Sequence, residues 1–411
     1  MHRCAMMEPM DRERQPGRRR RTGRLVAIDM PGGPQFVAML LRVWDAGDAA
    51  FVVDRRDPPA RANAVLDAMA PSAVIDEHGE ESARTGGRPI EPGDALVVAT
   101  SGTTGSRKGV VLTHAAVAAS AAATGVHLGV SSTDHWLACL PLAHIGGLSV
   151  VTRALHLATP LTVLDGFDAD AVMRSEATLV SLVPTALARV DADRFRVVLL
   201  GGSAPPAVVP PNVVTTYGMT ETGSGIVYDG VPLDGVDVRV DERGAIAVRG
   251  ATLLRAYRDG SDPFVDGWFP TGDVGAWDAE GRLVVHGRDA DLIISGGENV
   301  WPSEVEAALR HHPDVAAVAV TGLPDHEWGA AVSAFVVAGP GRLSLRALRE
   351  HVKERLPAHS APRRLYVVER LPTTTLGKID RPGLLALAGQ IQPETLESET
   401  LSPRRSRRDG R

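Results

Sequence analysis

Apolar positions in the first two hundred residues alternate between short continuous runs and stretches with helical spacing. Continuous runs at 50–53, 73–75 and 95–99 predict strands, whereas 36–43 and 61–69 carry apolar residues at helical intervals. Strands that are apolar throughout are typical of parallel sheets covered on both faces. Further runs of this kind lie at 136–140, 161–164, 179–183 and 197–200. The pattern predicts an α/β fold with a largely parallel sheet.

The pattern changes after about residue 230. Segments 236–240 and 245–249 alternate apolar and polar residues, which predicts short, half-buried strands. From Asp291 onward the order is compact α+β: helix 303–311, strand 315–320, strand 331–337, helix 344–355, strand 364–368 and helix 380–387. Residues 388–411 are rich in Glu, Ser, Thr and Arg, and we expect a disordered tail there.

The composition is that of an ordinary globular protein. Of 411 residues, 44% are hydrophobic and 23% are charged, and the length suggests two or three domains. No run approaches the ~20 apolar residues of a membrane-spanning helix. Cys4 and Cys139 are the two cysteines, too few for a disulfide framework or a Cys-based zinc site, and Cys139 is expected in the core.

Charge is distributed unevenly along the chain. The net charge of −6 combines +5 in residues 1–24 and +4 in residues 403–411 with −15 in the body between them. An acidic body argues against a nucleic-acid-binding protein, whose footprint is a basic face. An RNA-binding arm is one interpretation of the arginines at 18–21. We expect instead that residues 1–24 are a basic disordered extension, and Met10 and Met30 are alternative initiators. No apolar segment of a secretory signal follows, so the cytoplasm is the default location.

The segment 100–109 directly follows the predicted strand 95–99 and is rich in glycine and hydroxyl side chains. Its glycines let backbone N–H groups turn toward one anion, so polyphosphate is the ligand that it suits. The spacing is not that of a Walker A loop. A flexible linker is the plainer alternative, but a position between two apolar strands favours a site. The candidate residues are Thr100, Ser101, Gly102, Thr103, Thr104, Gly105 and Lys108.

This loop resembles the phosphate-binding motif of the adenylate-forming superfamily, which includes acyl-CoA synthetases, luciferases and peptide-synthetase adenylation domains. Further segments of that superfamily follow in the expected order, so the resemblance covers roughly residues 95–387. It implies a large N-terminal AMP-binding domain over 25–287 and a small, mobile α+β lid over 288–387. It also implies a reaction in which a carboxylate and Mg-ATP give an acyl-AMP and pyrophosphate, after which a thiol attacks the acyl group.

Two segments resemble the adenine and metal sites of the superfamily. The resemblance implies that Tyr217 covers the base, that Thr220 binds a phosphate oxygen and that Glu221 binds Mg²⁺. A carboxylate is a hard oxygen ligand of the kind this ion prefers. The candidate residues of these segments are Gly201, Gly202, Ser203, Tyr217, Gly218, Met219, Thr220 and Glu221.

Asp273 and Arg288 resemble the ribose-binding residues of the superfamily. A short carboxylate that only accepts hydrogen bonds suits a diol. The hinge position between the two domains carries Ala290 where the superfamily usually has Asp or Lys, so the pivot residue stays open. Beyond it, Gly296 and Gly297 match the turn that lines the thiol tunnel after the small domain has rotated.

The segment 371–381 resembles the loop of the adenylation lysine, here Lys378, with Thr373 where relatives often have Arg. Negative charge moves toward the α-phosphate as the carboxylate attacks, and a mobile ammonium can stabilise it. Of the 44 basic residues only Lys108, Lys353 and Lys378 are lysine. Where almost every basic residue is arginine, a position that keeps lysine indicates a requirement for a compact charge. Lys353 is the exception and is expected to face solvent.

The segment 140–147 resembles the acyl pocket, where His144 either contacts a polar acid or is a structural histidine. The stretch 217–236 is similar to the compact o-succinylbenzoate–CoA ligases of actinobacterial menaquinone synthesis. That similarity makes this diacid the expected substrate, and the absence of a carrier-domain serine after Lys378 makes coenzyme A the expected thiol. The second carboxylate of the acid requires a further cation or donor cluster, which spacing alone does not identify.

Two alternative functions stay open. One is a CoA ligase for another small aryl or dicarboxylic acid, and the other is a non-catalytic adenylate-binding protein. The candidate catalytic residues are Lys378, Thr220 and His144. Dimers are common among soluble enzymes, but the sequence does not indicate the oligomeric state.

Overall fold

The computed structural model describes residues 23–100, 108–203, 205–206, 208–373 and 379–395. Within these ranges the chain forms four sheets with helices packed on them. Three of the sheets precede residue 289 and the fourth follows it. The mixed α/β class that the apolar pattern predicts is confirmed.

The first sheet contains the predicted N-terminal strands. Its seven strands are β1 (Leu25–Ile28), β2 (Ala49–Val52), β3 (Ala73–Ile75), β4 (Glu81–Ala83), β5 (Asp94–Ala99), β6 (Gly109–Thr113) and β16 (Ala256–Tyr257). Strands β3, β1, β2 and β5 run parallel, and β6 returns antiparallel to β5. The crossover helices are α1 (Pro34–Asp45) and α2 (Pro59–Met69), each with a proline in its first turn, where no helical N–H is needed.

The second sheet has seven strands, and the first five of them along the chain run parallel to one another. Its members are β7 (Trp136–Ala138), β8 (Leu161–Val163), β9 (Leu179–Leu182), β10 (Val197–Leu200), β11 (Val213–Met219), β12 (Ser224–Tyr228) and β13 (Val231–Pro232). The associated helices are α3 (His114–His127), α4 (Ile145–His156), α5 (Ala169–Arg174) and α6 (Pro184–Leu187). Because parallel strands end at one edge, the residues that follow β10 and β11 are brought to the same side of the molecule.

One hydrophobic core joins the first two sheets. It includes Phe36 from α1, Leu112 from β6, Trp136 from β7 and Tyr228 from β12, each at most 1% exposed. Helices α3 and α4 contribute to the same core. The two sheets therefore form one packed unit that supports the shared edge.

The third sheet is antiparallel, as the alternating segments predict. Its strands are β14 (Val236–Val240), β15 (Ala245–Gly250), β17 (Phe269–Trp277) and β18 (Leu283–Arg288). Strands β17 and β18 were not among the predicted elements. Their register places Asp273 directly opposite Arg288, two of the candidate site residues.

The fourth sheet has the α+β order predicted from Asp291. Its strands are β19 (Ile293–Ser295), β20 (Glu298–Val300), β21 (Val315–Asp325), β22 (Gly329–Ala338), β23 (Arg364–Val367) and β24 (Glu394–Thr395), and its helices are α7 (Pro302–Arg310), α8 (Leu345–Lys353) and α9 (Arg381–Ala388). Its two apolar clusters, one around Val305 and Leu348 and one around Phe335 and Leu384, are separate from the large core. Strand β21 is longer than the predicted 315–320 because it forms a long hairpin with β22.

The C-terminal prediction needs one correction. Strand β24 pairs with β23, and the backbone N–H of Leu345 donates to Glu394 Oε1 at 2.9 Å. The predicted start of a disordered tail after Leu387 is therefore wrong, since ordered structure continues to Thr395. Composition could not reveal these contacts, because they join Glu394 to residues 29 and 49 positions earlier in the chain.

Across the described ranges, no helix combines the length and the apolar character that crossing a bilayer requires. Residues 1–22 and 396–411 lie outside those ranges.

Candidate functional site

The candidate phosphate loop connects two paired strand ends. Ala99 lies opposite Gly109, and the N–H of Thr100 donates to the carbonyl oxygen of Lys108 at 2.8 Å. The hydroxyl of Thr100 donates to the same oxygen at 3.3 Å. Both ends of the loop are therefore fixed side by side. The predicted residues Ser101, Gly102, Thr103, Thr104 and Gly105 lie outside the described residues.

Lys108 and Glu221 meet through a tyrosine. The ammonium nitrogen of Lys108 lies 4.6 Å from the ring centroid of Tyr257. The hydroxyl of Tyr257 donates to Glu221 Oε1 at 3.1 Å. Burial, reinforced by the charge of Glu221, raises the pKa of Tyr257 above its usual value, so this phenol is a neutral donor. The structure thus brings the predicted phosphate cation and the predicted metal ligand together.

The turn between β11 and β12 holds the candidate metal ligand in place. It is a short 3₁₀ turn over Thr220–Thr222, anchored by the fully buried Thr222, whose hydroxyl oxygen accepts from the N–H of Met219 at 2.9 Å. Just before it, a Cβ added to Gly218 would lie 2.2 Å from the carbonyl oxygen of Ser224. Glycine is therefore required there for the two strands to approach so closely.

A second group of predicted residues meets around a buried carboxylate. Asp273, 6% exposed, accepts from the hydroxyl of Tyr217 at 2.8 Å through Oδ2 and pairs with Arg288 Nε at 2.8 Å through Oδ1. Arg288 also donates to the carbonyl oxygen of Thr271 at 2.9 Å. Burial and the neighbouring negative charge raise the pKa of Tyr217, which therefore stays protonated. Tyr217, Asp273 and Arg288 form one polar set, which joins the two predicted ribose residues to the tyrosine that the sequence assigned to the base.

Gly201, Gly202 and Ser203 directly follow β10 at the edge that also carries Met219. The N–H of Gly201 donates to the carbonyl oxygen of Leu182 at 3.1 Å, and Ser203 is exposed. These residues thus lie beside the segment of Tyr217, since β10 and β11 are neighbours in the sheet.

His144 has a charged partner. It precedes the first residue of α4, and its Nε2 lies 3.2 Å from Oδ2 of Asp54, which follows β2. Although burial opposes ionisation, hydrogen bonds from His144 and Arg56 hold the pKa of Asp54 well below its usual value. An ionised carboxylate only accepts hydrogen bonds, so the proton of this contact is on Nε2 of His144.

The remaining predicted positions lie in the C-terminal part of the chain. Gly296 and Gly297 form the β19–β20 turn with φ of +64° and +85°, a two-residue turn that glycine favours, and Gly296 contacts Trp328. The predicted hinge residue Ala290 lies in the 3₁₀ turn Asp289–Asp291. Lys378 lies outside the described residues.

Two predictions about burial are confirmed, one for a cysteine in the core and one for a lysine at the surface. Cys139 is completely buried, and burial raises the pKa of its thiol to about 12, which excludes a ready thiolate nucleophile. Lys353, at the end of α8, is partly exposed and pairs with Glu350 at 2.8 Å.

Sequence reasoning missed Tyr257 and Asp54. Their contacts with Glu221 and His144 join residues 36 and 90 positions apart. Neither residue belongs to a recognisable motif. Spacing along the chain therefore carried no signal for them.

The chain belongs to the AMP-binding enzyme family. The family model matches residues 80–258, and the model of the AMP-binding enzyme C-terminal domain matches residues 304–378. Among individual relatives, a probable 2-succinylbenzoate–CoA ligase of Mycobacterium tuberculosis is 43% identical over 330 residues, which cover 73% of this chain and 86% of that protein. The 2-succinylbenzoate–CoA ligase of Bacillus licheniformis is 38% identical over 329 residues, covering 70% and 69% of the two chains.

Solved structures agree with this membership. The o-succinylbenzoate CoA synthetase of Bacillus subtilis, in complex with its acyl-adenylate intermediate, matches with a TM-score of 0.73 and 28% identity. The match covers 89% of this chain and 88% of that one. The same synthetase in complex with ATP and magnesium matches with a TM-score of 0.77 and 29% identity, covering 88% and 89% of the two chains.

Proposed function

We propose that the chain is an AMP-forming acid–thiol ligase that joins o-succinylbenzoate to coenzyme A. A carboxylate oxygen of the acid attacks the α-phosphorus of ATP and pyrophosphate leaves; the sulfur of coenzyme A then attacks the acyl carbon and AMP leaves. The observation that carries this proposal is that two polar sets are built on the two ends of the short segment 217–221. One set is Lys108, Tyr257 and Glu221, and the other is Tyr217, Asp273 and Arg288.

The first set suits the phosphates of ATP. Glu221 is the residue that would hold Mg²⁺, which neutralises phosphate charge when it is bound. A single carboxylate fits this role, because Mg²⁺ in nucleotide sites is bound by one or two carboxylates together with the phosphates. Lys108 places a positive charge over the face of the same Tyr257 ring. Thr220, next to Glu221, supplies a hydroxyl for a phosphate oxygen.

The second set suits the nucleoside. Asp273 accepts from the ribose hydroxyls, while Tyr217 and Arg288 fix the direction of its carboxylate. A carboxylate already oriented by two donors loses little freedom when a diol binds. The backbone of Gly201 and Gly202 borders the base at the neighbouring strand end.

The C-terminal part serves both half-reactions in turn. We assign residues 25–287 to the nucleotide-binding domain and residues 288–387 to a lid that pivots near Ala290. In the first half-reaction Lys378 stabilises the charge that develops at the α-phosphate. In the second, Gly296 and Gly297 border the path of the thiol. A cytoplasmic location fits an enzyme that uses ATP and coenzyme A.

A panel of acids tests the proposed function. Pyrophosphate release by the wild type is measured with o-succinylbenzoate, benzoate, a medium-chain fatty acid and malonate. We expect release with o-succinylbenzoate to be well above release with the other acids. An equal response to all four acids would contradict the proposal that o-succinylbenzoate is the substrate. Binding of ATP without pyrophosphate release from any acid would identify a non-catalytic adenylate-binding protein instead.

A further inference from the structure

One short segment joins the two ends of the candidate phosphate site. The backbone N–H of Leu254 donates to the carbonyl oxygen of Glu221 at 2.8 Å. Four residues later, the N–H of Arg258 donates to the carbonyl oxygen of Gly109 at 2.6 Å. Between these two contacts, β16 pairs antiparallel with β6. The segment 254–258 is therefore attached at one end to the candidate metal ligand and at the other end to the strand that follows the phosphate loop.

Two arginines fix the backbone of β16. Before the strand, Arg255 Nε pairs with Oδ1 of Asp94 at 2.8 Å, and this aspartate side chain is 1% exposed. After the strand, Arg258 Nε donates to the carbonyl oxygen of Met69 at 3.0 Å. Because β5 and α2 hold the two flanking side chains, Tyr257 extends from a fixed position.

Tyr257 contacts two opposite charges through two different groups. The ammonium nitrogen of Lys108 lies 4.6 Å from the centroid of its ring, and its hydroxyl donates to Oε1 of Glu221 at 3.1 Å. Among the described residues, Lys108 and Glu221 form no ion pair with each other, and Oε2 of Glu221 has no hydrogen bond. Opposite charges in contact attract each other, so a direct pair would occupy the groups that ATP and its metal need.

The two contacts of Tyr257 differ in strength. Lys108 is exposed, and a cation–π contact at an exposed site is weak, so the ammonium can leave the ring for a phosphate. A hydrogen bond to an ionised carboxylate is stronger and fixes the direction of that carboxylate. Tyr257 can therefore release the cation and keep the carboxylate in place when a nucleotide binds.

We propose that Tyr257 is a positioning residue that keeps Lys108 and Glu221 apart and holds both ready for ATP and Mg²⁺. Its hydroxyl fixes one oxygen of Glu221 and leaves the other without a donor, and its ring holds the ammonium until a phosphate replaces it. This proposal rests on the proposed function. It explains how the phosphate site prevents two opposite charges from neutralising each other before the substrate arrives.

The role of the hydroxyl is tested by ATP binding with and without the metal. The Kd of ATP is measured by isothermal titration calorimetry in excess Mg²⁺ and again in EDTA. Tyr257→Phe keeps the ring, and we expect its Kd in Mg²⁺ to rise about five- to tenfold, less than the full cost of a lost hydrogen bond to a charged group because water replaces the hydroxyl. The Kd in EDTA should change by less than about twofold, since the hydroxyl acts through the metal ligand. Tyr366→Phe, in the fourth sheet, is the matched control and should change neither value.

A double-mutant cycle shows whether the hydroxyl acts through Glu221. Glu221→Gln removes the charge of the candidate metal ligand, and in that background Tyr257→Phe should change the Kd of ATP in Mg²⁺ by less than about twofold. Additive effects of the two substitutions would overturn the proposal. An equal loss of affinity in Mg²⁺ and in EDTA for Tyr257→Phe, or no loss in either, would overturn it too.

The role of the ring is tested by Tyr257→Leu, which removes the surface that separates the two charges. Lys108 and Glu221 can then pair directly, so we expect the Kd in EDTA to rise about two- to fivefold above that of Tyr257→Phe, the range of a lost cation–π contact at an exposed site. Equal Kd values of the two variants in EDTA would overturn the role of the ring. If Tyr257→Leu does not fold, as judged by circular dichroism, Tyr257→Met replaces it, with the same two outcomes.

Failure of this proposal differs from failure of the proposed function. A wild type that releases pyrophosphate with o-succinylbenzoate, while the Tyr257 variants bind ATP as the wild type does, overturns the positioning role alone. A wild type that binds no ATP in Mg²⁺ or in EDTA overturns the proposed function as well.

Discussion

At the scale of single residues, the candidate nucleoside site depends on how a buried carboxylate is oriented. Each oxygen of Asp273 has its own donor, Tyr217 on one side and Arg288 on the other. Because Tyr217 is protonated and half-buried, its hydroxyl is a fixed donor rather than a second acid.

Tyr217→Phe should weaken nucleotide binding without removing the carboxylate. A lost hydrogen bond to a charged group is worth about 1.5–3 kcal/mol, and part of it is recovered by the ribose, so we expect KM for ATP to rise by about five- to tenfold. The measurement is pyrophosphate release at varied ATP. Tyr366→Phe, which removes a hydroxyl from a ring stacked on Phe335 in the fourth sheet, is the control. An unchanged KM for ATP in Tyr217→Phe would contradict the assigned role of this hydroxyl.

Sequence could predict the residues of this site but not all of their partners. Tyr217, Asp273 and Arg288 lie in ordered motifs, and the structure brings them together. Tyr257 and Asp54 act through contacts between distant segments, and no local pattern marks a residue for such a contact.

At the scale of elements, one buried aspartate connects the end of α3 to the second sheet. Asp134 accepts from Arg196 through both oxygens at 2.8 Å, from the hydroxyl of Thr178 at 2.9 Å and from the N–H of Ser131 at 2.9 Å. Burial opposes the charge, but these hydrogen bonds lower the pKa of Asp134 to about 2. The carboxylate thus fixes the loop that leads into β7.

Asp134→Asn should destabilise the fold in a pH-dependent manner. The folded pKa lies below the unfolded value, so the ionised group stabilises the fold above about pH 4, and this contribution is lost as the pH falls toward about 2. We expect the free energy of unfolding to decrease by about 2 kcal/mol at pH 7 and by less at pH 3, measured by urea denaturation. Asp237→Asn, which breaks the exposed pair with Arg249, should change stability by less than about 0.5 kcal/mol. Equal effects of Asp134→Asn at both pH values would refute the electrostatic explanation.

Two helices that the sequence pattern did not predict, α3 and α4, share a physical cause. Helices α3 and α4 are buried around much of their circumference, with residues 147–154 of α4 buried without interruption. A helix packed on several sides has no polar face, so it lacks the periodic pattern that revealed α1 and α8. The buried strands, in contrast, were predictable because a parallel strand is apolar along its whole length.

At the scale of the whole molecule, the large core and the clusters of the fourth sheet are separate, and the turn Asp289–Asp291 connects the elements around them. The C-terminal side of this turn is fixed by an ion pair at 2.8 Å between Asp291 and Arg381, on α9. Because the part after the turn has its own core, a residue in that part can be required for one half-reaction and not for the other.

Lys378→Ala should therefore separate the two half-reactions. We expect pyrophosphate release from ATP and o-succinylbenzoate to fall by at least about a hundredfold, the usual cost of losing a group that stabilises transition-state charge. Thioester formation from supplied acyl-AMP and coenzyme A should be unchanged, because the adenylation lysine is not needed there. Lys353→Ala, at the exposed end of α8, is the matched lysine control. Loss of both half-reactions in Lys378→Ala would contradict this division.

The two residues of β24 protect the molecule from its neighbours. They cover the backbone of Arg364 and Leu365 on the outer side of β23. An uncovered strand edge is a template on which a second chain can pair, and this is a common route to aggregation. A shortened chain that ends before Glu394 would expose that edge and remove the acceptor of the N–H of Leu345 at the start of α8. This short segment therefore contributes to keeping the protein dispersed at high concentration, a property independent of its catalytic residues.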